Sequence, residues 1–599
     1  MTLRTSAHQV AKGRGLLSRL LGVVTTLSMI FFGSTALATQ DSKGTEFWLM
    51  FPGNYSGGPI LSLFIAGDTA TNGTVAVPGL GISIPFNVTP GNVTTVTVNS
   101  ATEVQSSDVI ENKGIHVTAG AEVTVYGLSR IQFTTDAYLG LPVDILGTDY
   151  INLGYRNTNV VNGTQFGIVA TQNTTTVTIT PTVTVGGRTA GVPYNIVMNQ
   201  GQTYQLRSTA GDPADLSGSL ITSDKPIAVF GSHNCANIPR GFVACDYIVE
   251  QLPPTTTWGQ SFVTVPLATR LNGDTFRILA GTDSTQVSVN GALVATLNKG
   301  QYHERIIAGA ATITATKPVL VAQYSNGTSY DGVTSDPFEM VVPPYEQFLA
   351  SYTVTTPATG FAINFINVAA PTAAVGAITL DGVAIPAASF TPIGATGFSG
   401  AQVQVNLGTH NLVGTLPFGT FVYGFANADS YGYPGGMSLA QVAVVTSISL
   451  SPPTATNPVG TQHCVDALVR DQNNVPVPGV RVDFTVTGVN PNAGFAVGNA
   501  NGVAQYCYTG TNVGTDTIVG AVGQLQSNRV TKQWTSAVTT CDVDKDGDID
   551  KNDLALISRA RGQAPLPGDP RDSDGDGLIT PNDVKVCIKV CTRPNCAVQ

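Results

Sequence analysis

The chain has 599 residues with a formal net charge of −10, and only 11% of its residues are charged. This acidic balance, with no basic patch to offset it, argues against nucleic-acid binding. Threonine, valine, glycine and alanine dominate the composition, which favours many short strands, so we expect a mainly β protein with a small helical module at its C-terminus.

The first 38 residues have the pattern of a secretory signal peptide. Basic residues between Arg4 and Arg19 precede an apolar run from Leu20 to Phe32, and cleavage is expected after Ala38. A retained anchor is the alternative, but the run is short for a bilayer, and no later segment is long and apolar enough to span one. We therefore expect a secreted protein, extracellular or at the cell surface, with no membrane span after signal removal.

Residues 39–445 contain an internal repeat. Phe64, Phe166 and Phe276 align with one another, and a fainter copy begins at Phe365. Each of the first three copies then carries a valine at one shared offset: Val75, Val177 and Val287. The copies define units at about 45–142, 143–255, 256–345 and 346–445, a natural size for β-sandwich-like repeats.

A second repeated element lies where the units meet. It consists of an aspartate, an aromatic residue and an apolar residue before proline, and its copies begin at Asp136, Asp246 and Asp336. Proline stiffens the backbone and buried aromatic rings pack a joint, so this element predicts a rigid rod of units.

Three segments of this region carry a family resemblance. GTEFWLMFPGNY at 44–55, CANIPRGFVACDYIVEQLPP at 235–254 and DPFEMVVPPYEQF at 336–348 resemble the IgGFc-binding protein N-terminal domain family. That family is named for an animal mucus protein that binds antibody Fc, and many of its members are exported bacterial proteins. The resemblance implies a protein or glycan ligand on a surface.

Residues 446–537 resemble a different family. VGTQHCVDALVRDQNNVPVPGVRVDFTV at 459–486 and NGVAQYCYTGTNVGTDTI at 501–518 are similar to the bacterial Ig-like group 1 domains of invasin-type adhesins. The resemblance implies an Ig-like β-sandwich that serves as a spacer and projects a tip from the cell.

Two twelve-residue segments, DVDKDGDIDKND at 542–553 and DSDGDGLITPND at 572–583, match the calcium loop of an EF-hand. Gly547 and Gly577 stand at position 6, where the loop turns sharply. The candidate metal ligands are Asp542, Asp544, Asp546, the Asp548 carbonyl, Asp550 and Asp553 in the first loop, and Asp572, Asp574, Asp576, the Leu578 carbonyl, Thr580 and Asp583 in the second. A solvated acidic tail is the alternative, but it predicts neither glycine. We expect about two Ca²⁺ ions per chain.

The surroundings of the two loops point to a tandem module. Ile549 and Ile579 stand at position 8, where paired loops join by a short strand, and helical pattern follows at 554–560 and 584–590. Loop-then-helix units repeated after thirty residues, 542 to 572, resemble type I dockerin. The resemblance implies calcium-dependent folding and a cohesin-like or cell-envelope partner for residues 538–599.

Eight cysteines in an exported chain indicate disulfide bonds. They form three local groups: Cys235 and Cys245; Cys464 and Cys507; and Cys541, Cys587, Cys591 and Cys596. A zinc cluster at the C-terminus is the alternative for the last group. The alternation of Val465, Ala467 and Val469 assigns Cys464 to strand ends or to an outer face.

No set of catalytic residues emerges from the sequence. The chain has six histidines without a shared motif, and neither GxSxG nor HExxH occurs. A glycoside hydrolase built on paired carboxylates remains the enzymatic alternative, with Asp246, Glu250, Asp336 and Glu339 as candidates. We expect a non-enzymatic, adhesin-like binding protein with a calcium-stabilised docking module; the other hypotheses are a component of an extracellular polysaccharide-degrading system and a surface-layer component.

Overall fold

The computed structural model describes residues 41–598 except 358–359, 440–444, 472–473, 478–479, 500, 524 and 536–539. The predicted signal peptide, residues 1–38, lies outside the described residues. The prediction of a mainly β protein is confirmed, because strands form almost all of the regular structure before residue 540.

Unit 1 contains strands β1 to β8, and unit 2 contains strands β9 to β16. One of them, β6, pairs with residues 203–205 and so extends a sheet of unit 2. Unit 1 consists of β1 (Gly44–Leu49), β2 (Ile60–Ala66), β3 (Thr71–Val77), β4 (Ile82–Val88), β5 (Thr94–Val98), β6 (Val109–Glu111), β7 (Ile115–Ile131) and β8 (Thr134–Leu139). Unit 2 consists of β9 (Asp149–Ile151), β10 (Thr164–Ala170), β11 (Thr175–Thr180), β12 (Tyr194–Met198), β13 (Thr203–Ser208), β14 (Leu220–Ser223), β15 (Ile227–Asn237) and β16 (Cys245–Leu252).

Units 3 and 4 follow with the same order of elements. Unit 3 consists of β17 (Gly259–Thr264), β18 (Asp274–Ala280), β19 (Thr285–Val289), β20 (Ala292–Leu297), β21 (Tyr302–Ile307), β22 (Ala311–Tyr324), the short helix α1 (Thr328–Asp331) and β23 (Glu339–Val342). Unit 4 consists of β24 (Leu349–Thr356), β25 (Ile363–Pro371), β26 (Thr379–Leu380), β27 (Val383–Ala384), β28 (Phe390–Pro392), β29 (Phe398–Val405), β30 (Gly408–Ala426) and β31 (Asp429–Pro434).

One long strand organises each of units 1, 3 and 4. The first half of β7 pairs with β1 and β3, and its second half pairs with β2 and β8. In unit 3 the first half of β22 pairs with β17 and β19, and its second half pairs with β18 and β23. In unit 4 the first half of β30 pairs with β24 and β26, and its second half pairs with β25 and β31. In unit 2 the two halves are separate strands, β14 and β15. The repeated valines Val75, Val177 and Val287 are fully buried between the two sheets of their units.

The four units close into a ring around their last strands. Strand β8 packs against β16 and β31, and β23 packs against the same two strands on the opposite side of the centre. Units 1 and 4, which are farthest apart in sequence, are also joined by a hydrogen bond from the Tyr126 hydroxyl to the Gly435 carbonyl, 2.6 Å long. The expectation of a rod is therefore wrong, because the repeated aspartates meet at one centre instead of at successive seams.

The seam between units 2 and 3 contains a buried charge network. The guanidinium of Arg277 is inaccessible to solvent and pairs with Asp215 at 2.9 Å and with Glu304 at 2.8 Å. The rings of Tyr155 and Tyr302 lie 4.1 Å and 4.3 Å from it. These contacts satisfy a charge that burial would otherwise penalise heavily, and they fix the two units relative to each other.

Residues 445–535 form a two-sheet sandwich. One sheet contains β32 (Val445–Ser451), β34 (Gln462–Asp471) and β37 (Val503–Thr509). The other contains β33 (Thr454–Pro458), β35 (Arg481–Gly488), β36 (Asn492–Val497), β38 (Gly514–Val522), β39 (Leu525–Gln526) and β40 (Val530–Thr535). Cys464 faces Cys507 across β34 and β37, on the side opposite the core residue Val465, so this disulfide lies on an outer face as expected.

The C-terminal module has two helices, α2 (Lys551–Arg559) and α3 (Pro581–Ile588). Both begin about one turn earlier than the apolar pattern predicts, because Asp550 and Thr580 cap their first turns.

The prediction of disulfide bonds is confirmed: besides Cys464–Cys507, the structure contains Cys235–Cys245, Cys541–Cys587 and Cys591–Cys596. Among the described residues, no helix combines the length and the apolar character that a membrane crossing requires.

We expect Arg277→Ala to destabilise the ring by about 3–5 kcal/mol, because it leaves Asp215 and Glu304 without their buried cation. Denaturant unfolding followed by tryptophan fluorescence measures this loss. Arg481→Ala is the matched control, since Arg481 pairs with Asp483 on the exposed surface of the sandwich and should contribute about 0–1 kcal/mol. Equal losses in the two variants would contradict the assignment of Arg277 as an inter-unit tie.

Candidate functional site

The first acidic loop draws its carboxylates together. Oxygens of Asp542, Asp544 and Asp553 lie within 4.8 Å of one another, and so do oxygens of Asp548, Asp550 and Asp553. Asp553 belongs to both groups and also accepts the Val543 amide at 2.6 Å, so it holds the start of the loop against the start of α2. Such a set of hard oxygen donors is typical of a calcium site.

The second loop repeats the arrangement with one difference. Oxygens of Asp572, Asp574 and Asp576 lie within 4.8 Å of one another. The carboxylate of Asp583 instead accepts the amides of Ser573 and Thr580, both at 2.6 Å. Desolvation by itself would raise the pKa of Asp583, but these amide donors outweigh it and lower that pKa.

The predicted glycines have the conformation that the loops need. Gly547 and Gly577 have φ of 93° and 82°, a left-handed conformation that other residues adopt only with strain. Their amides donate to Asp542 at 3.3 Å and to Asp572 at 3.1 Å, which turns each chain back toward its first carboxylate.

The donors present fit a divalent cation. Asp550 is almost fully buried, and its Oδ2 atom has no hydrogen-bond partner among the described residues; the same holds for Oδ1 of Asp548 and of Asp572. Buried carboxylate oxygens are costly without a donor or a metal. Burial and the neighbouring Asp553 and Asp546 also raise the pKa of Asp544, which a bound cation would reverse.

Some predicted ligands lie apart from these groups. Asp546 is absent from the first-loop groups, and Asp583 is absent from the second-loop group; the Thr580 hydroxyl donates to Asp583 at 3.2 Å. The two position-8 isoleucines do not form a strand with each other. Ile549 exchanges hydrogen bonds with Thr592, and Ile579 bonds to Gly562 and Gln563. The first loop thus pairs with the segment after α3, because the disulfide-linked tail folds back over it. The second loop pairs with the segment after α2.

The carboxylates considered for glycoside hydrolysis lie in the interior of the ring. Asp246, Glu250, Asp336 and Glu339 are all nearly inaccessible to solvent. Two of them bond to main-chain groups of neighbouring units: Asp246 accepts the Thr135 amide at 2.7 Å, and Glu250 accepts the Val341 amide at 3.0 Å. Glu339 instead accepts the Tyr324 hydroxyl of its own unit at 2.9 Å. All four acids are thus buried and do not line an open cleft, as hydrolysis requires.

A fourth aspartate at the centre escaped the sequence reasoning. Asp429 lies in β31, beside Asp336 and Asp246, and Oδ1 of Asp429 and of Asp336 has no hydrogen-bond partner among the described residues. Its own segment, Asp429 to Pro434, repeats the aspartate, aromatic and proline pattern of the other three copies. That pattern, applied to the fainter fourth unit, would have found it.

Burial and mutual repulsion raise the pKa values of the central acids. Burial, reinforced by Asp429, raises the pKa of Asp336 to about 8, and burial raises that of Glu339 to about 8. Burial also raises the pKa of Asp429 to about 6, and it raises those of Asp136 and Asp246 far above the ordinary range.

An exposed apolar patch lies at the ring surface where units 2 and 3 meet. The loop closed by Cys235–Cys245 presents Phe242 and Val243, and the Phe242 ring packs edge-on against Tyr330 of unit 3 at 5.0 Å. Leu271, 70% exposed, stands in the adjoining loop of unit 3. We call these four residues the loop patch. Clustered exposed apolar side chains often mark interaction sites.

The ring region is similar in sequence to known proteins. Residues 136–424 match the family model described as IgGFc binding protein. The human IgGFc-binding protein is 26% identical over 425 residues, which span 67% of this chain and 8% of the human protein. The middle of the chain thus matches an IgGFc-binding family domain.

The solved structures that resemble the chain do so only weakly. The D0-D1 domain of intimin covers 36% of this chain and 91% of its own, with 12% identity and a TM-score of 0.14. The Escherichia coli adhesin FdeC covers 46% of this chain and 97% of its own, with 13% identity and a TM-score of 0.15. The Ig-like and dockerin-like assignments of residues 446–537 and 538–599 remain predictions.

The central acids make the stability of the ring depend on pH. A carboxyl whose folded pKa is raised stabilises the fold fully below its unfolded value, 3.8 for Asp336, and this contribution is lost as pH rises to about 8. Burial lowers the pKa of His233 to about 3, so this residue has the opposite effect on stability. Its contribution to the free energy of unfolding rises with pH, but only below the ordinary histidine pKa of 6.5. Between pH 6.5 and 8 we therefore expect the free energy of unfolding to fall by about 1.4 kcal/mol per pH unit for each protonated carboxyl.

Urea unfolding at a series of pH values tests this expectation. Asp336→Asn should flatten the slope, while Asp283→Asn, at an exposed position in unit 3, should leave it unchanged. A wild-type stability that is constant or rises across this interval would show that the central acids are ionised in the folded ring.

Proposed function

We propose that the protein is a secreted or cell-surface adhesin-like binding protein in which the ring, residues 41–438, holds the ligand. The observation that carries this proposal is the match of residues 136–424 to the IgGFc-binding family model. The name of the human relative describes binding to antibody Fc, but only 8% of that protein is matched, so a surface glycan or protein is the broader ligand class. Because the candidate acids are buried, we propose no catalytic role for the ring.

The loop patch is the surface that we propose for ligand contact. It combines exposed apolar side chains with the aromatic rings of Phe242 and Tyr330, and aromatic residues are enriched at protein interfaces. Its shape is held by the disulfide and by the hydrogen bond from the Gly327 amide to the Ile238 carbonyl, 2.7 Å long. A rigid patch loses little conformational entropy when it binds.

We expect the exported protein to bind at least one member of a panel of IgG Fc, secreted mucins and immobilised glycans. Phe242→Ser with Val243→Ser should lower the affinity about tenfold or more, since a pair of hot-spot side chains contributes at least 1.4 kcal/mol. Biolayer interferometry measures both effects. Val383→Ser, which changes an equally exposed apolar residue in unit 4, is the matched control and should bind as the wild type does.

Failure of the wild type to bind any panel member would contradict the adhesin-like proposal for these ligand classes. Loss of binding in the Val383 variant but not in the loop-patch variant would move the contact surface to unit 4. Sugar release from polysaccharides by the wild type would instead favour the polysaccharide-degrading alternative.

We further propose that residues 540–598 form a calcium-stabilised docking module with a cohesin-like or cell-envelope partner. Its small core is built on Ile549, Ile557 and Ile579, and eleven aspartates crowd its loops and their connection. A metal that gathers these carboxylates would offset their repulsion and order the module.

Calorimetric titration of the full exported chain should show about two Ca²⁺ ions bound. Chelation should abolish the thermal transition of the module and leave that of the ring unchanged, and Asp546→Ala with Asp576→Ala should act as chelation does. Asp569→Ala is the control, because Asp569 lies outside both loops and pairs with Arg571. No heat of calcium binding, or a module transition that chelator leaves intact, would refute the assignment.

A further inference from the structure

A buried lysine lies against an asparagine in the sandwich of residues 445–535. Asn457 belongs to β33 and Lys532 to β40, and these two strands run parallel as neighbours. The side chain of Lys532 is inaccessible to solvent, and its Nζ atom contacts Oδ1 of Asn457. In the described part of the chain, Lys532 forms no salt bridge, unlike most buried lysines.

The remaining neighbours of this lysine do not supply a partner charge at contact distance. The Nζ atom lies 4.6 Å from the centre of the Trp534 ring, and the indole nitrogen of Trp534 donates to Asp516 at 2.8 Å. Asp516 is the strand partner of Lys532 on β38 and is itself fully buried, with a further hydrogen bond from the Tyr508 hydroxyl at 3.2 Å.

This environment makes the charged form of the amine less favourable than it is in water. Burial lowers the pKa of Lys532, since an ammonium without a contacting carboxylate loses its hydration and gains little in return. Burial lowers the pKa of His463, so this imidazole adds no positive charge at neutral pH. A neutral amine held against a carboxamide is a nucleophile beside an acyl carbon.

We propose that Lys532 and Asn457 join in an intramolecular isopeptide bond. The lone pair of Nζ attacks Cγ of Asn457, the new C–N bond forms, and the bond from Cγ to Nδ2 breaks. One proton passes from Nζ to Nδ2, which leaves as ammonia, so the reaction involves no oxidation and no added reagent.

The bond would have a mechanical role. Residue 457 lies shortly after the ring ends, and residue 532 lies shortly before the C-terminal module begins. A covalent link between them would carry tension from the ring to the module through β33 and β40 and bypass the strands between. If the sandwich connects a ligand-binding ring to an anchored C-terminal module, this covalent link would keep the sandwich from unfolding under tension.

The intact mass of the full exported protein, measured denatured and with disulfides reduced, tests the proposal. Loss of ammonia makes the wild type 17 Da lighter than its sequence, a value fixed by the stoichiometry of amide exchange. Because cyclised N-terminal glutamine and Asn-Gly succinimide give the same loss, a peptide map must also show one branched peptide that contains both Asn457 and Lys532.

The variants separate this bond from other modifications. Lys532→Arg and Asn457→Ala should each have the full sequence mass and lack the branched peptide, whereas Lys585→Arg, a lysine of the C-terminal module, should keep both features. A wild type of full mass, or a map in which the peptides of Asn457 and Lys532 are separate, would overturn the proposal whether or not the variants fold.

Discussion

The carboxyl group of Asp136 is the interaction on which the ring depends. It accepts the amides of Val249 at 3.0 Å, Glu339 at 3.1 Å and Gly432 at 3.2 Å, one from each of the other three units. A buried carboxyl with these partners is satisfied only when all four units are in place. Displacing one unit would leave a polar group without a partner at the centre, which is costly in a low-dielectric interior.

Closing the ring buries acidic groups at its centre and brings loops of different units together on its surface. Four aspartates meet where burial disfavours their ionised forms, and main-chain amides donate to carboxyls of this group. In return, loops from different units meet at defined positions. The loop patch exists because Phe242 of unit 2 and Tyr330 of unit 3 are held together by the seam around Arg277.

The three parts of the chain are stabilised by different means. The ring has a large core and many polar ties between units, so it needs few cross-links. The sandwich has a smaller core and a disulfide on its outer face, to which we add an isopeptide bond between its first and last regions. The C-terminal module has the smallest core and relies on two disulfides and, as we propose, on calcium.

The sequence by itself determined the features that depend on short spacing. Alternation predicted the strands and the outer position of Cys464, the repeated phenylalanines located the units, and loop spacing predicted the gathered carboxylates, because local backbone geometry decides each of these. The helix starts were missed by one turn, since the caps at Asp550 and Thr580 precede the apolar pattern. Only the tertiary structure decided that the repeats form a ring, that Asp136 and Asp429 share one centre, and that Lys532 meets Asn457. These contacts join residues far apart in the chain, and no local spacing encodes which distant strands will pack together.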